Sequence, residues 1–136
     1  MRLDVDRVAV ERELAAYLED AGRGPPQALD GARTHSALPL WTDLVGCLAL
    51  RPTGELIFFS WDDPRALTEL LNTDYDRRLI HAARALGSRR YPGIAGLAPA
   101  REASARICPT CHGSGRIPDV PDNVICECGG LGWVPQ

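Results

Sequence analysis

Apolar residues recur at near-helical spacing along residues 3–20, where Val5, Val8, Ala9, Leu14, Ala15 and Leu18 stand among Arg and Glu. That period predicts an amphipathic helix, with Asp4 or Asp6 placed to accept from its first amides. AGRGPP at 21–26 stops it, because Gly22 or Gly24 can end the helix and Pro25 cannot continue it. Residues 21–39 then read as a loop or irregular arm. The strongest local signal follows. LVGCLAL at 44–50 and ELIFFS at 55–60 are apolar, strand-length runs, and RPTG between them carries turn chemistry. A β-hairpin is predicted. Both runs are apolar at consecutive positions, which implies cover on both faces.

Asp62-Asp63-Pro64 has the form of a helix start, with Asp63 as cap and Pro64 at the first helical position, and predicts a helix to about Leu71. A second helix is expected from about Asp74 to Leu86, with Leu79, Ile80, Ala83 and Leu86 on one face and Gly87 as its stop. SRRYPGIAGLAP reads as a loop with short extended pieces. Two strands alone make a poor sheet, so a third is expected from 91–98, 104–107 or 131–135, or from another chain. The fold class expected is α+β: an N-terminal helix, a central β-hairpin with packed helices and a C-terminal cysteine knuckle. Residues 1–103 would form the small α+β domain and 104–136 a module packed on it.

The cysteines change this picture most. Cys108, Cys111, Cys126 and Cys128 fall within 21 residues, as CPTCHGSG and CECGGLG. Two Cys separated by two residues can place both sulfurs on one ion, and Gly just after the second Cys permits the tight turn this requires. Two such pairs supply the four ligands of a tetrahedral structural zinc site. The shorter Cys126-x-Cys128 spacing leaves a second arrangement open, in which one Cys of that pair points away and His112 replaces it. A redox CxxC normally opens a helix, and Gly113-Ser114-Gly115 argues against one. A disulfide lacks any sign of an oxidising compartment. The fifth cysteine, Cys47, lies among apolar neighbours and reads as core.

CPTCHGSG resembles the CxxCxGxG repeat of the cysteine-rich zinc domain in DnaJ-type (Hsp40) co-chaperones. CECGGLG keeps the second Cys and the GxG that follows, one residue short between its cysteines. The resemblance covers residues 108–134. It implies a hairpin-like knuckle and one zinc, since two repeats stand where the family has four repeats and two zincs. The His-Pro-Asp of a J domain is absent from the chain, so the resemblance implies no chaperone activity.

Charge is unevenly placed. Residues 1–76 carry net −7, residues 77–118 net +7 and residues 119–136 net −3, for −3 in all. The basic segment either faces an acidic partner or folds against the acidic one, and the second reading is favoured, also for the cluster Arg89-Arg90-Tyr91. Every basic residue is Arg, and Ala, Gly and Pro are abundant, as in chains from GC-rich, bacterial genomes. No apolar run approaches the roughly 18 residues of a membrane span, and the N-terminus lacks a signal-like apolar stretch. The chain reads as soluble and cytoplasmic.

Other candidate chemistry is sparse. His35 and His81 are isolated, Asp62 and Asp63 fit helix capping better than paired catalytic carboxylates, and no phosphate loop or dinucleotide fingerprint occurs. Trp41, Trp61 and Trp133 read as core-edge packers, with Trp133 docking the knuckle on the hairpin. A full Cys₄ shell leaves no open metal position for catalysis, and Glu127 between two ligands is a poor base. The expectation is a non-enzymatic zinc protein with another protein as partner, of the adaptor or toxin-immunity kind. The alternatives are a nucleic-acid-binding zinc module using the Arg-rich 77–116 segment, and an enzyme with its site outside the knuckle.

Overall fold

The computed structural model describes residues 2–20, 24–70, 73–117 and 126–135. The fold is α+β. Helix α1 spans Arg7–Glu19, and the Asp6 carboxylate accepts from Val8 N at 3.0 Å to cap it. Its buried residues are Ala9, Val10, Leu14 and Tyr17, while Val8 points to solvent.

The predicted irregular arm at 21–39 is corrected here. Pro26–His35 forms helix α2, which ends at Ser36 in the left-handed conformation (φ 51°). The two prolines that read as a stop sit at the cap and the first turn, where a missing N–H costs nothing. Helix α2 lays Gly31 flat on the Phe59 ring, leaving no room for a Cβ.

The hairpin forms as expected, from strands β2 (Gly46–Leu50) and β3 (Leu56–Ser60), with Leu50 opposite Leu56 and Cys47 opposite Phe59. The third strand is not drawn from 91–98, 104–107 or 131–135. It is β1 (Leu38–Thr42), antiparallel to β2 with a bulge between Pro39 and Trp41. Pro39 hid it, yet proline is tolerated on an edge strand or at a bulge.

Both faces of the sheet are covered, as the unbroken apolar runs require. One face buries Leu38, Leu40, Leu48, Leu50, Leu56 and Phe58 with α1 and residues 79–97. The other buries Ala37, Cys47, Ala49, Ile57 and Phe59, with Trp61 at its edge. Cys47 is thus plain core, and burial pushes its thiol up to about 12.

The helix expected from Asp63 towards Leu71 does not form over the described residues of that stretch; Leu71 itself lies outside them. The chain turns at 63–66 and returns beside β3, where Thr68 N donates to Phe58 O at 2.8 Å. Covering part of the β3 edge outweighs the local capping signal.

Helix α3 runs Asp74–Arg90, four residues further than expected. Thr73 caps it through Asp76 N at 3.1 Å. Gly87 does not end it. It is buried within the helix because a Cβ there would lie 2.9 Å from Leu40 Cδ2. Tyr91 follows, buried, its hydroxyl donating to Pro39 O at 2.9 Å. Residues 91–99 form a loop that returns Ile94 and Leu97 to the core. No helix among the described residues is long and apolar enough to cross a membrane.

Candidate metal centre

The four-cysteine region is framed by two short strands, β4 (Arg106–Ile107) and β5 (Trp133–Val134), paired antiparallel with Ile107 opposite Trp133. Cys108 N extends the ladder by donating to Gly132 O at 3.0 Å. Two turns hang from this clasp and face each other. Gly115 packs on the Gly130 carbonyl and Gly132 on the Gly113 carbonyl, so that an added Cβ would meet oxygen at 2.6 and 2.5 Å. All four glycines have positive φ. The GxG after each second Cys therefore serves the mutual approach of the two turns as well as their local bend.

The turns bring Cys108, Cys111, Cys126 and Cys128 together. All four are buried, and their sulfurs lie within 4.8 Å of one another. Cys108 Sγ is 3.6 Å from Cys126 Sγ, and Cys111 Sγ is 3.7 Å from Cys128 Sγ. Four thiolates at the usual zinc–sulfur distance define a tetrahedron of edge about 3.8 Å. The donor set thus fits a tetrahedral ion, and none of the sulfurs is bonded to another.

The short Cys126-x-Cys128 spacing is absorbed in the backbone. In the first turn His112 N donates to Cys108 O, four residues back, at 2.9 Å; in the second Gly129 N donates to Cys126 O, three back, at 2.9 Å. The residue after each second cysteine is left-handed, His112 at φ 54° and Gly129 at φ 67°. One tighter turn thus delivers Cys126 to the same place. His112 projects to the surface and is not part of the cluster.

Backbone amides prepare the sulfurs for negative charge. Gly115 N donates to Cys111 Sγ and Gly132 N to Cys128 Sγ, each at 3.3 Å and each four residues on. The thiols are unequal without an ion. Burial pushes Cys126 up to about 12 and raises Cys108. Burial also acts against Cys111, but amides of Gly115 and Gly113 and the neighbouring thiols outweigh it and bring it to about 7. A bound cation favours the thiolate form throughout.

The knuckle rests on α3, not on the hairpin as expected for Trp133. Gly129 lies against Ala82 and Ala85, where a Cβ would come within 2.7 Å of Ala85 Cβ, and Gly130 lies against the Arg89 guanidinium. His81, 4% exposed, donates from Nε2 to Trp133 O at 2.9 Å, and its ring meets the indole edge-on at a centroid distance of 4.8 Å. Burial lowers its pKa and so favours the neutral form. Glu127 accepts from Thr110 Oγ1 at 3.0 Å and pairs with Arg78 at 3.7 Å, linking both turns to the helix. The sequence reading missed this seat. Its trace is the run of small residues in HAARALG, which lets a second layer approach α3.

The remaining predicted residues have structural surroundings. His35 Nε2 lies 3.0 Å from Pro64 O. Asp63 N donates to Ser60 Oγ, so Asp62 and Asp63 sit in a turn rather than at a helix cap. Of the pairing expected between the basic segment and the acidic one, the described residues show Arg77 with Asp74, and the other contacts are local. Arg77 pairs with Asp74 of its own helix, Arg78 with Glu127, Arg84 donates to carbonyls of Gly96, Leu97 and Ala98, and Arg101 lies 5.9 Å over the Trp133 ring. Buried Tyr91 offers no ring for stacking.

The chain matches no family model, no curated protein and no solved structure. Its class is therefore defined by its own geometry: an α+β protein carrying a buried four-cysteine cluster able to hold a metal ion.

Proposed function

We propose that this chain is a non-enzymatic protein whose Cys108, Cys111, Cys126 and Cys128 hold one structural zinc ion in a DnaJ-like knuckle, and whose role is to bind another protein. The observation that carries the reading is the enclosure of the cluster: four buried sulfurs at tetrahedral spacing. Four thiolates fill the shell of zinc and leave no position for water or substrate. Zinc suits an all-sulfur tetrahedral set, whereas calcium and magnesium require oxygen. The ion supplies folding energy to a segment with little core of its own, where Val134 and Ile117 are the apolar companions of the four sulfurs. Residues 104–136 are in this reading a module packed on the 1–103 domain.

A protein partner is favoured over nucleic acid by the local engagement of the arginines and the burial of Tyr91. Affinity capture from the native organism, with metal quantified in the eluate, tests both parts. The expected result is about one zinc per chain and a co-eluting protein insensitive to nuclease. A nuclease-sensitive complex whose affinity falls steeply with salt would replace this reading by the nucleic-acid one.

A further inference from the structure

Between α3 and β5 lies a cleft that the metal centre does not use. Its volume is about 280 Å³, and its apolar wall includes Ile80, Pro99, Ala105 and Trp133. It opens beside a second hollow of about 170 Å³ bordered by Arg78 and Arg106; Arg77 and Pro135 line both. The first is smaller than the roughly 300–1,000 Å³ that encloses a drug-sized ligand, and suits a single side chain.

The charge around it is one-sided. Arg77, Arg78, Arg84 and Arg106 line the two hollows against Asp74 and Glu102; Arg77 is paired with Asp74 and Arg78 with Glu127, which leaves Arg84 and Arg106 without a carboxylate partner among the described residues. Half-buried Arg84 is held by neutral carbonyls at 3.0–3.4 Å. Arg106 is exposed and makes no ion pair with any described residue. The indole of Trp133 already has Arg101 over it and His81 against it, so it offers an apolar wall rather than a platform for a nucleobase.

We propose that this cleft docks a short acidic segment of the partner protein. One apolar side chain enters between Ile80 and Trp133, and flanking carboxylates lie on Arg106 and at the edge of Arg84, the two lining cations without a carboxylate partner among the described residues. This rests on the protein-partner reading and adds the place of contact and the charge of the ligand. The arrangement is that of an apolar anchor with a charged rim, in which the rim steers approach and the anchor sets residence.

The test is selection of phage-displayed random nonapeptides on the full-length, metal-loaded chain. Enriched peptides are expected to carry one large apolar residue between Asp and Glu. Their binding should fall about tenfold or more in Arg106→Glu, and equally in Ala105→Trp, which fills the cleft, with metal content unchanged in both variants. Enrichment without acidic residues, or binding unaffected by both variants, would overturn the proposal. Binding of a labelled oligouridylate that the same variants abolish would overturn it in favour of nucleic acid. Self-association that they abolish would assign the cleft to a second copy. If the captured partner still binds both variants, the protein-partner reading stands and the cleft assignment falls.

Discussion

Around the sheet, the buried set is Leu38, Leu40, Leu48, Leu50, Leu56, Phe58 and their neighbours from three helices. In the knuckle, it is four cysteines and Val134. The first region is held by apolar area removed from water, at roughly 25 cal/mol per Å². The second has too little such area, and its two turns converge on four sulfurs able to hold a metal ion, which in the proposed reading supplies the missing stability. Helix α3 is the common wall. Leu79 and Ala83 face the sheet, while His81, Ala82 and Ala85 face the knuckle. That double duty explains why so much of α3 is buried although its sequence is rich in Arg and Ala.

The comparison is broken most sharply by removing the ion. Chelation, or Cys128→Ser, should abolish metal binding, which in zinc-finger peptides releases about 10–16 kcal/mol at neutral pH. Amide exchange at 106–117 and 126–135 should then become fast while β1–β3 stay protected. Loss of protection in the sheet as well would mean that the two regions are one cooperative unit.

The reverse experiment is Leu50→Ala, at a residue fully buried at the end of the central strand β2. It should cost about 2–5 kcal/mol by denaturant melt, with metal stoichiometry unchanged.

Next comes the seat between the regions. Gly129→Ala combines a left-handed φ of 67° with a contact of 2.7 Å to Ala85, and overpacking of this kind costs about 1–3 kcal/mol. Its signature is faster exchange in the knuckle with an intact sheet.

The smallest expected effect is that of His81. Its native pKa is depressed below 6.5, chiefly by burial, so the native state binds fewer protons than the unfolded one. Its contribution is complete above pH 6.5 and is lost as pH falls from there through the depressed native value. His81→Gln should flatten the loss of stability over this window, measured as the difference from the parent so that the metal's own pH dependence cancels. Identical slopes would show that His81 carries no linkage.

How much of this was legible depended on whether the signal was local. The hairpin and the cysteine cluster were legible because each rests on its own residues: apolar runs around RPTG, and paired Cys with Gly at fixed offsets. Helix α2 was not, because Pro25-Pro26 reads equally as a stop or a start, and Gly31 makes sense only against Phe59. Strand β1 was masked by Pro39 and a bulge. Asp63-Pro64 carries a good cap signal that edge pairing at Thr68 overrides. Gly87 reads as a helix stop until Leu40 is placed beside it. In the knuckle, the missing residue between Cys126 and Cys128 looked like the weak point. The three-residue return at Gly129 accommodates it and still brings Cys126 and Cys128 into the four-sulfur cluster. That adjustment belongs to backbone geometry, which spacing alone does not reveal.

The central claim is most directly tested by X-ray absorption at the zinc edge on the purified full-length chain, together with metal quantification. The predicted result is one zinc per chain with about four sulfur neighbours at about 2.3 Å and no nitrogen or oxygen in the first shell. Absence of zinc, or a shell containing imidazole or water, would contradict a closed four-cysteine site.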